Sequence, residues 1–123
     1  MIGYVTIGTN DLQRAASFYD ALLAEVGGKR MMEEDSFVAW ISEGAPGASL
    51  AVTQPFDGES ATVGNGVMVA IAVGSRDEVT RFYNKAIELG GTDEGAPGPR
   101  GEGFFAGYFR DLDGNKLNVF VAG

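Results

Sequence analysis

One segment of this chain occurs twice. Phe18-Tyr19-Asp20-Ala21-Leu22-Leu23-Ala24-Glu25-Val26-Gly27-Gly28 returns as Phe82-Tyr83-Asn84-Lys85-Ala86-Ile87-Glu88-Leu89-Gly90-Gly91. The offset is 82 − 18 = 64 at the start and 91 − 28 = 63 at the end, so one residue is gained or lost. An apolar run precedes each copy: Val5-Thr6-Ile7 before the first and residues 67–73 before the second. A repeat of this length means two copies of one supersecondary unit that bury their apolar faces together. It constrains the fold and says nothing about a substrate.

Periodicity fills in the units. Residues 2–8 alternate and predict a two-sided strand. Asn10-Asp11-Leu12-Gln13 predicts a helix start with Asn10 as N-cap. Leu12, Ala15, Ala16, Tyr19, Leu22, Leu23 and Val26 follow at helical spacing, and Gly27-Gly28 stops the helix. Strands are predicted at 29–33, 37–42 and 49–54, separated by Glu34-Asp35 and by Gly44-Ala45-Pro46-Gly47. The second copy opens with a strand at 67–73. Ser75-Arg76-Asp77-Glu78 then reads as a capping box in which Ser75 and Glu78 bond reciprocally. Residues 92–103, with four glycines and two prolines, read as a loop, and strands at 104–110 and 116–121 flank a turn at 111–115. Each half is expected to be β-α-β-β-β. The chain is expected to be one domain, 1–123, of two modules at about 1–56 and 66–123 joined by a linker at 57–65.

Composition excludes several classes. At 123 residues and 45% apolar, the chain can bury a core. No apolar run approaches the roughly 20 residues of a membrane span, and the start lacks a signal peptide's basic end and long apolar core. A cytoplasmic protein with no membrane partner is expected. No cysteine means no disulfide framework. The net charge of −8 disfavours nucleic acid, whose binding needs phosphate neutralisation. That charge is expected to serve solubility first and attraction of a cationic ligand second.

Two βαβββ modules, Gly8-Thr9-Asn10-Asp11-Leu12 with Phe18-Tyr19, and Arg110-Asp111-Leu112-Asp113-Gly114-Asn115-Lys116-Leu117-Asn118 between the last strands together resemble the vicinal oxygen chelate (VOC) superfamily. That group includes glyoxalase I, bleomycin-resistance proteins, fosfomycin-resistance enzymes and extradiol dioxygenases, and the resemblance covers nearly the whole chain. It implies an α+β fold in which paired modules curl a mixed sheet into a cup, and it implies a homodimer. It also implies a divalent metal held by a His on the first strand, a His on the first strand of the second copy, and a Glu on the last strand. Those positions here are Tyr4, Met68 and Asn118.

The chain has no histidine. A thioether is a poor ligand for hard ions, a phenol must lose a proton of pKa about 10, and an amide offers a neutral carbonyl. Losing a mere supporting partner already costs 10–100-fold in affinity. A His-based centre is therefore excluded, and no cofactor is expected; an all-oxygen Mg²⁺ or Ca²⁺ site stays open. If Tyr4, Met68 and Asn118 face the cup, alternation adds Ile2 and Thr6, then Ala70 and Ala72, then Lys116 and Phe120. Trp40, the one tryptophan, and Arg100 in the glycine-rich loop 98–104 complete the candidate ligand-binding set. The bland reading of Met68, Phe120 and Trp40 is core, and a hydrogen bond between Tyr4 and Asn118 in a closed interior would satisfy both.

Three functions are open to such a chain. The leading one is binding of a small organic molecule, metal-free, in the manner of the bleomycin-resistance branch. A lyase or isomerase of glyoxalase type is the second, using an atypical metal site or Tyr4 with a carboxylate. The third is a structural or interaction protein whose cup is filled by its own side chains. Whether the chain is an enzyme is not legible in the sequence.

Overall fold

The computed structural model describes residues 1–43 and 47–123, so most of the expected turn at 44–47 lies outside the described residues. Two compact units result, Met1–Thr62 and Val63–Gly123. The first holds β1 (Tyr4–Gly8), α1 (Leu12–Leu23), a 3₁₀ turn (Ala24–Val26), β2 (Gly28–Glu33), β3 (Phe37–Ser42) and β4 (Ser49–Thr53). The second holds β5 (Val69–Ala72), α2 (Arg76–Glu88), β6 (Thr92–Pro99), β7 (Phe104–Arg110) and β8 (Lys116–Ala122). Each is a four-stranded mixed sheet, ordered β1-β4-β3-β2 and β5-β8-β7-β6, whose first strand runs parallel to its last.

Alternation decides which side of each sheet is core. In the first unit Ile7, Val38, Trp40, Leu50 and Val52 are buried, as are Ala15, Phe18, Tyr19 and Leu22 of α1. In the second, Leu117, Val119 and Phe109 are buried with Val79, Phe82 and Ala86 of α2. Phe82 meets Phe109 with ring centroids 6.1 Å apart. Each fully buried side chain of this size contributes about 1.5–3 kcal/mol.

The repeated Gly-Gly has a structural reason that is the same in both units. Gly27 and Gly90 take φ of +73° and +105°, the left-handed ending a side chain resists. A Cβ on the next residue would lie 2.8 Å from Leu23 O at Gly28, or from Ala86 O at Gly91. The chain must turn and then pass close beneath its helix.

Three local expectations are corrected. The N-cap of α1 is Asp11, which accepts from Arg14 N at 3.1 Å, not Asn10. Asn10 is otherwise engaged: its amide accepts from Ala61 N at 2.7 Å and donates to Ala61 O at 3.2 Å, latching the segment that follows β4. At α2, Ser75 caps Glu78 N as expected, but Glu78 accepts from Gly74 N rather than from Ser75. Residues 92–99 are strand, not loop. β6 is an edge strand with register breaks between Asp93 and Gly95 and between Gly95 and Gly98, where glycine and proline are tolerated.

A polar tie fixes β6 to α2. Tyr83 donates to Asp93 at 2.6 Å, and burial together with that bond pushes the phenol up to about 12. Because the folded state favours the protonated phenol, its stabilisation is complete below pH 10 and is lost as pH rises through about 12. Tyr83→Phe is expected to lower urea-unfolding stability by about 1 kcal/mol at pH 7. The gap to wild type should close between pH 10 and 12.

Candidate functional site

In each unit the helix claims one face of the sheet and leaves the other free. On the first sheet the free face is read from the register in rows: Tyr4 with Ser49, then Thr6 with Ala51 and Ala39, then Thr53 with Phe37. β2 adds to it through a bulge. The ladder breaks between Arg30 and Met32, so Met31 is an extra residue, and both methionines line the same cavity.

That cavity holds about 360 Å³ and is lined by Tyr4, Thr6, Met31, Met32, Phe37, Ala39, Ser49, Ala51 and Thr53. Tyr4 is 70% exposed and Met31 and Met32 nearly half exposed, a large apolar surface for so small a unit. None of the lining side chains is charged at neutral pH. A wider hollow of about 810 Å³ near the start of α1 is lined instead by Arg30, Glu33, Glu34, Asp35 and other polar groups. Its Arg30 is already paired with Asp20 and Glu33.

Trp40 does not belong to the free face. It is 2% exposed, on the α1 side of β3, with its ring 5.8 Å from that of Tyr19. Its Nε1 donates to Asp20 Oδ1 at 2.8 Å, and Arg30 donates to both oxygens of that carboxylate at 2.9 and 2.7 Å. These bonds, led by the one from Arg30, hold the Asp20 carboxyl below the usual carboxylate range. The expectation of a ligand-stacking tryptophan gives way because Phe37, Ala39 and Ile41 have the outward parity on β3, while Val38 and Trp40 face the helix.

On the second sheet the free face carries Ala70, Asn118 and Tyr108 in one row, then Ala72, Phe120 and Ala106. Gly107 has the opposite parity, since a Cβ there would meet Tyr83 of α2 at 3.1 Å. Phe120 stacks on Phe104 with centroids 5.2 Å apart. Arg100 reaches back across β6, donates to Ala96 O at 2.7 Å, and sets its guanidinium 5.4 Å from the Tyr108 ring centroid. Gly95 and Gly98 make room for it, since a Cβ on either would lie 3.2 or 3.0 Å from its nitrogens. Lys116 is placed 5.7 Å from the same centroid. Met68 precedes β5, outside the ladder and 41% exposed. Asn118 is 2% exposed and its Oδ1 has no hydrogen-bond partner.

The donor set does not fit the divalent centre that the resemblance implies. An exposed phenol, a thioether outside the sheet and a buried amide stand at its positions. Among the described residues no group of three or more His, Cys, Asp or Glu could hold an ion. Sequence reasoning missed Met31, Met32, Phe37 and Tyr108. The parity of β3 was readable from Val38 and Trp40, whereas no sequence signal marks the bulge that turns Met31.

Residues 1–119 match the Glyoxalase/Bleomycin resistance protein/Dioxygenase superfamily. The chain belongs to that superfamily. It is 33% identical to a glyoxalase/bleomycin resistance protein from Albidiferax ferrireducens T118, over 100% of this chain and 99% of that one, with a TM-score of 0.90. The hypothetical protein SA1046 from S. aureus is 26% identical, over 99% and 97% of the two chains, with a TM-score of 0.73. The fosfomycin resistance protein FosX from Listeria monocytogenes, 16% identical over 100% and 93% with a TM-score of 0.75, shares the fold. No curated protein matches the sequence.

The two roles weighed for Trp40 separate in one variant. Trp40→Phe keeps the buried ring and removes the donor to Asp20. It is expected to cost about 1 kcal/mol in chemical denaturation and to leave the affinity for any molecule bound on the free face unchanged. A binding defect without a stability loss would contradict the placement.

Proposed function

We propose that this member of the superfamily binds a small, uncharged organic molecule and does so without a divalent metal. One observation carries the reading: in a chain that is 21% charged, the free face of the first sheet has a 360 Å³ cavity with no charged lining residue. Its volume falls in the range of small-molecule sites, about 300–1,000 Å³, and its mix of apolar walls with a few hydroxyls suits orientation of an organic ligand. Met31 and Met32 bring polarisable, adaptable thioethers opposite the phenol of Tyr4, which favours flat ring systems. The acidity of the chain adds nothing here, since no carboxylate reaches the cavity; it serves solubility. Absence of histidine and the ill-fitting donors support the metal-free part.

A cytoplasmic homodimer belongs to the same reading. Ile2 and Ile41 remain exposed outside the cavity lining, apolar surface of the kind a partner subunit covers. No described helix is long and apolar enough to cross a membrane.

The test is a fluorescence titration with N-phenyl-1-naphthylamine, a neutral apolar probe, against wild type and Met32→Lys. The substitution lies at an exposed position, so stability should move by less than about 0.5 kcal/mol. Because the cation must be desolvated beside the probe, affinity should fall at least about tenfold. Equal affinity in the two proteins would remove the cavity from consideration. Elemental mass spectrometry after incubation with Ni²⁺, Mn²⁺, Fe²⁺, Zn²⁺ and Mg²⁺ checks the other half. Retention near one equivalent of any ion would revive metal-assisted chemistry.

A further inference from the structure

Every methionine of this chain lies at its surface. Met31, Met32 and Met68 are 49, 46 and 41% exposed and Met1 is fully so, although thioethers ordinarily fill cores. The chain has no cysteine, so these thioethers are the sulfur that an oxidant meets. Two of them are brought together. In a regular pleat Met31 and Met32 would point to opposite faces. The bulge between Arg30 and Met32 leaves Met31 out of register, and both side chains line the apolar cavity of the first sheet. The rest of that lining is hydroxyls, methyl groups and the rings of Tyr4 and Phe37. Apart from the rings, the two thioethers are its largest apolar groups.

We propose that Met31 and Met32 are a modification site that switches this cavity: their oxidation to sulfoxides by a hydroperoxide lowers its affinity for an uncharged molecule. The proposal rests on the reading that the cavity binds such a molecule, and it adds how that binding is regulated. In the step, a sulfur lone pair takes the terminal oxygen of the peroxide and the O–O bond breaks. The sulfur loses two electrons, and the leaving oxygen takes the proton and departs as water or an alcohol. The product is a polar sulfoxide on an otherwise unchanged side chain. In a wall with no charged residue, that group must be desolvated against a bound apolar molecule. Sulfoxide reductases reverse the step, one enzyme for each epimer, and the exposure that admits the oxidant admits them as well.

The test titrates N-phenyl-1-naphthylamine into the full chain before and after hydrogen peroxide, which is removed before the titration. Peptide mass spectrometry is expected to find oxygen on Met31 and Met32. Affinity should fall at least about tenfold and return after treatment with both sulfoxide reductases. Because both sulfurs are at the surface, the melting temperature should move by less than about 3 °C. The double variant Met31→Leu, Met32→Leu retains Met1 and Met68; whatever its affinity before peroxide, it should keep that value afterwards. Sparing of Met31 and Met32 while Met1 and Met68 are oxidised would overturn the proposal. So would unchanged affinity of the oxidised wild type, or an equal loss in the double variant, and each of these leaves small-molecule binding intact. A melting temperature that falls together with affinity would overturn it by making lost structure the cause. Failure of untreated wild type to bind the probe would count against the cavity as a binding site, and this proposal would fall with it.

Discussion

Helix α1 lies over Val38, Trp40, Leu50 and Val52, and α2 over Phe109, Leu117 and Val119; this one-sided packing governs the rest of the structure. A strand gives alternate side chains to opposite faces, so once a helix has claimed one parity every other residue is committed to the far side. Thr6, Ala39 and Ala51 therefore share a face because Ile7, Val38 and Val52 share the other. The free face is a by-product of the core, and a family can vary it without disturbing what holds the unit together.

The two units solve one polar problem in different ways. Tyr19 and Tyr83 occupy matching places in the repeat, as do Asp20 and Asn84. In the first unit the residue after the tyrosine carries the tie: Asp20 receives Trp40 and Arg30, joining α1 to β3 and β2. In the second the tyrosine itself carries it, through Asp93 of β6. Both fasten the helix to an edge strand of its sheet, β2 in the first unit and β6 in the second. What the repeat preserves is the geometry of a helix ended by Gly-Gly above a sheet, with the polar chemistry redistributed around it.

That division explains what the sequence reveals and what it hides. The repeat, both helices and the strands at 37–42 and 104–110 were legible because they depend on periodic apolar residues and on glycine at fixed places. β6 was hidden because its glycines and prolines, signals of loop on a local reading, are tolerated on an edge strand. Asn10 suits a cap by residue type; only a partner 51 residues away, Ala61, draws it elsewhere. Of the candidate set, Tyr4 and Asn118 come from the family resemblance and Thr6, Ala70 and Phe120 from alternation; each lies on the side of its own sheet away from the helix. Trp40 carries two readings in sequence, core and ligand contact, and the parity it shares with Val38 on β3 puts it on the core side. Met31 was beyond reach, since a bulge leaves no local mark.

Asn118 stands where the superfamily resemblance places a metal-binding carboxylate, and the substitution has a physical consequence beyond lost affinity. A glutamate there would need a cation or a proton to remain buried. An amide needs neither, so in a chain without histidine it leaves no uncompensated charge inside the sheet. The residue left behind is neutral but still polar, with one oxygen unpaired. A methyl group in place of that oxygen would remove the unpaired acceptor, and the neighbouring Ala70 and Ala72 are apolar.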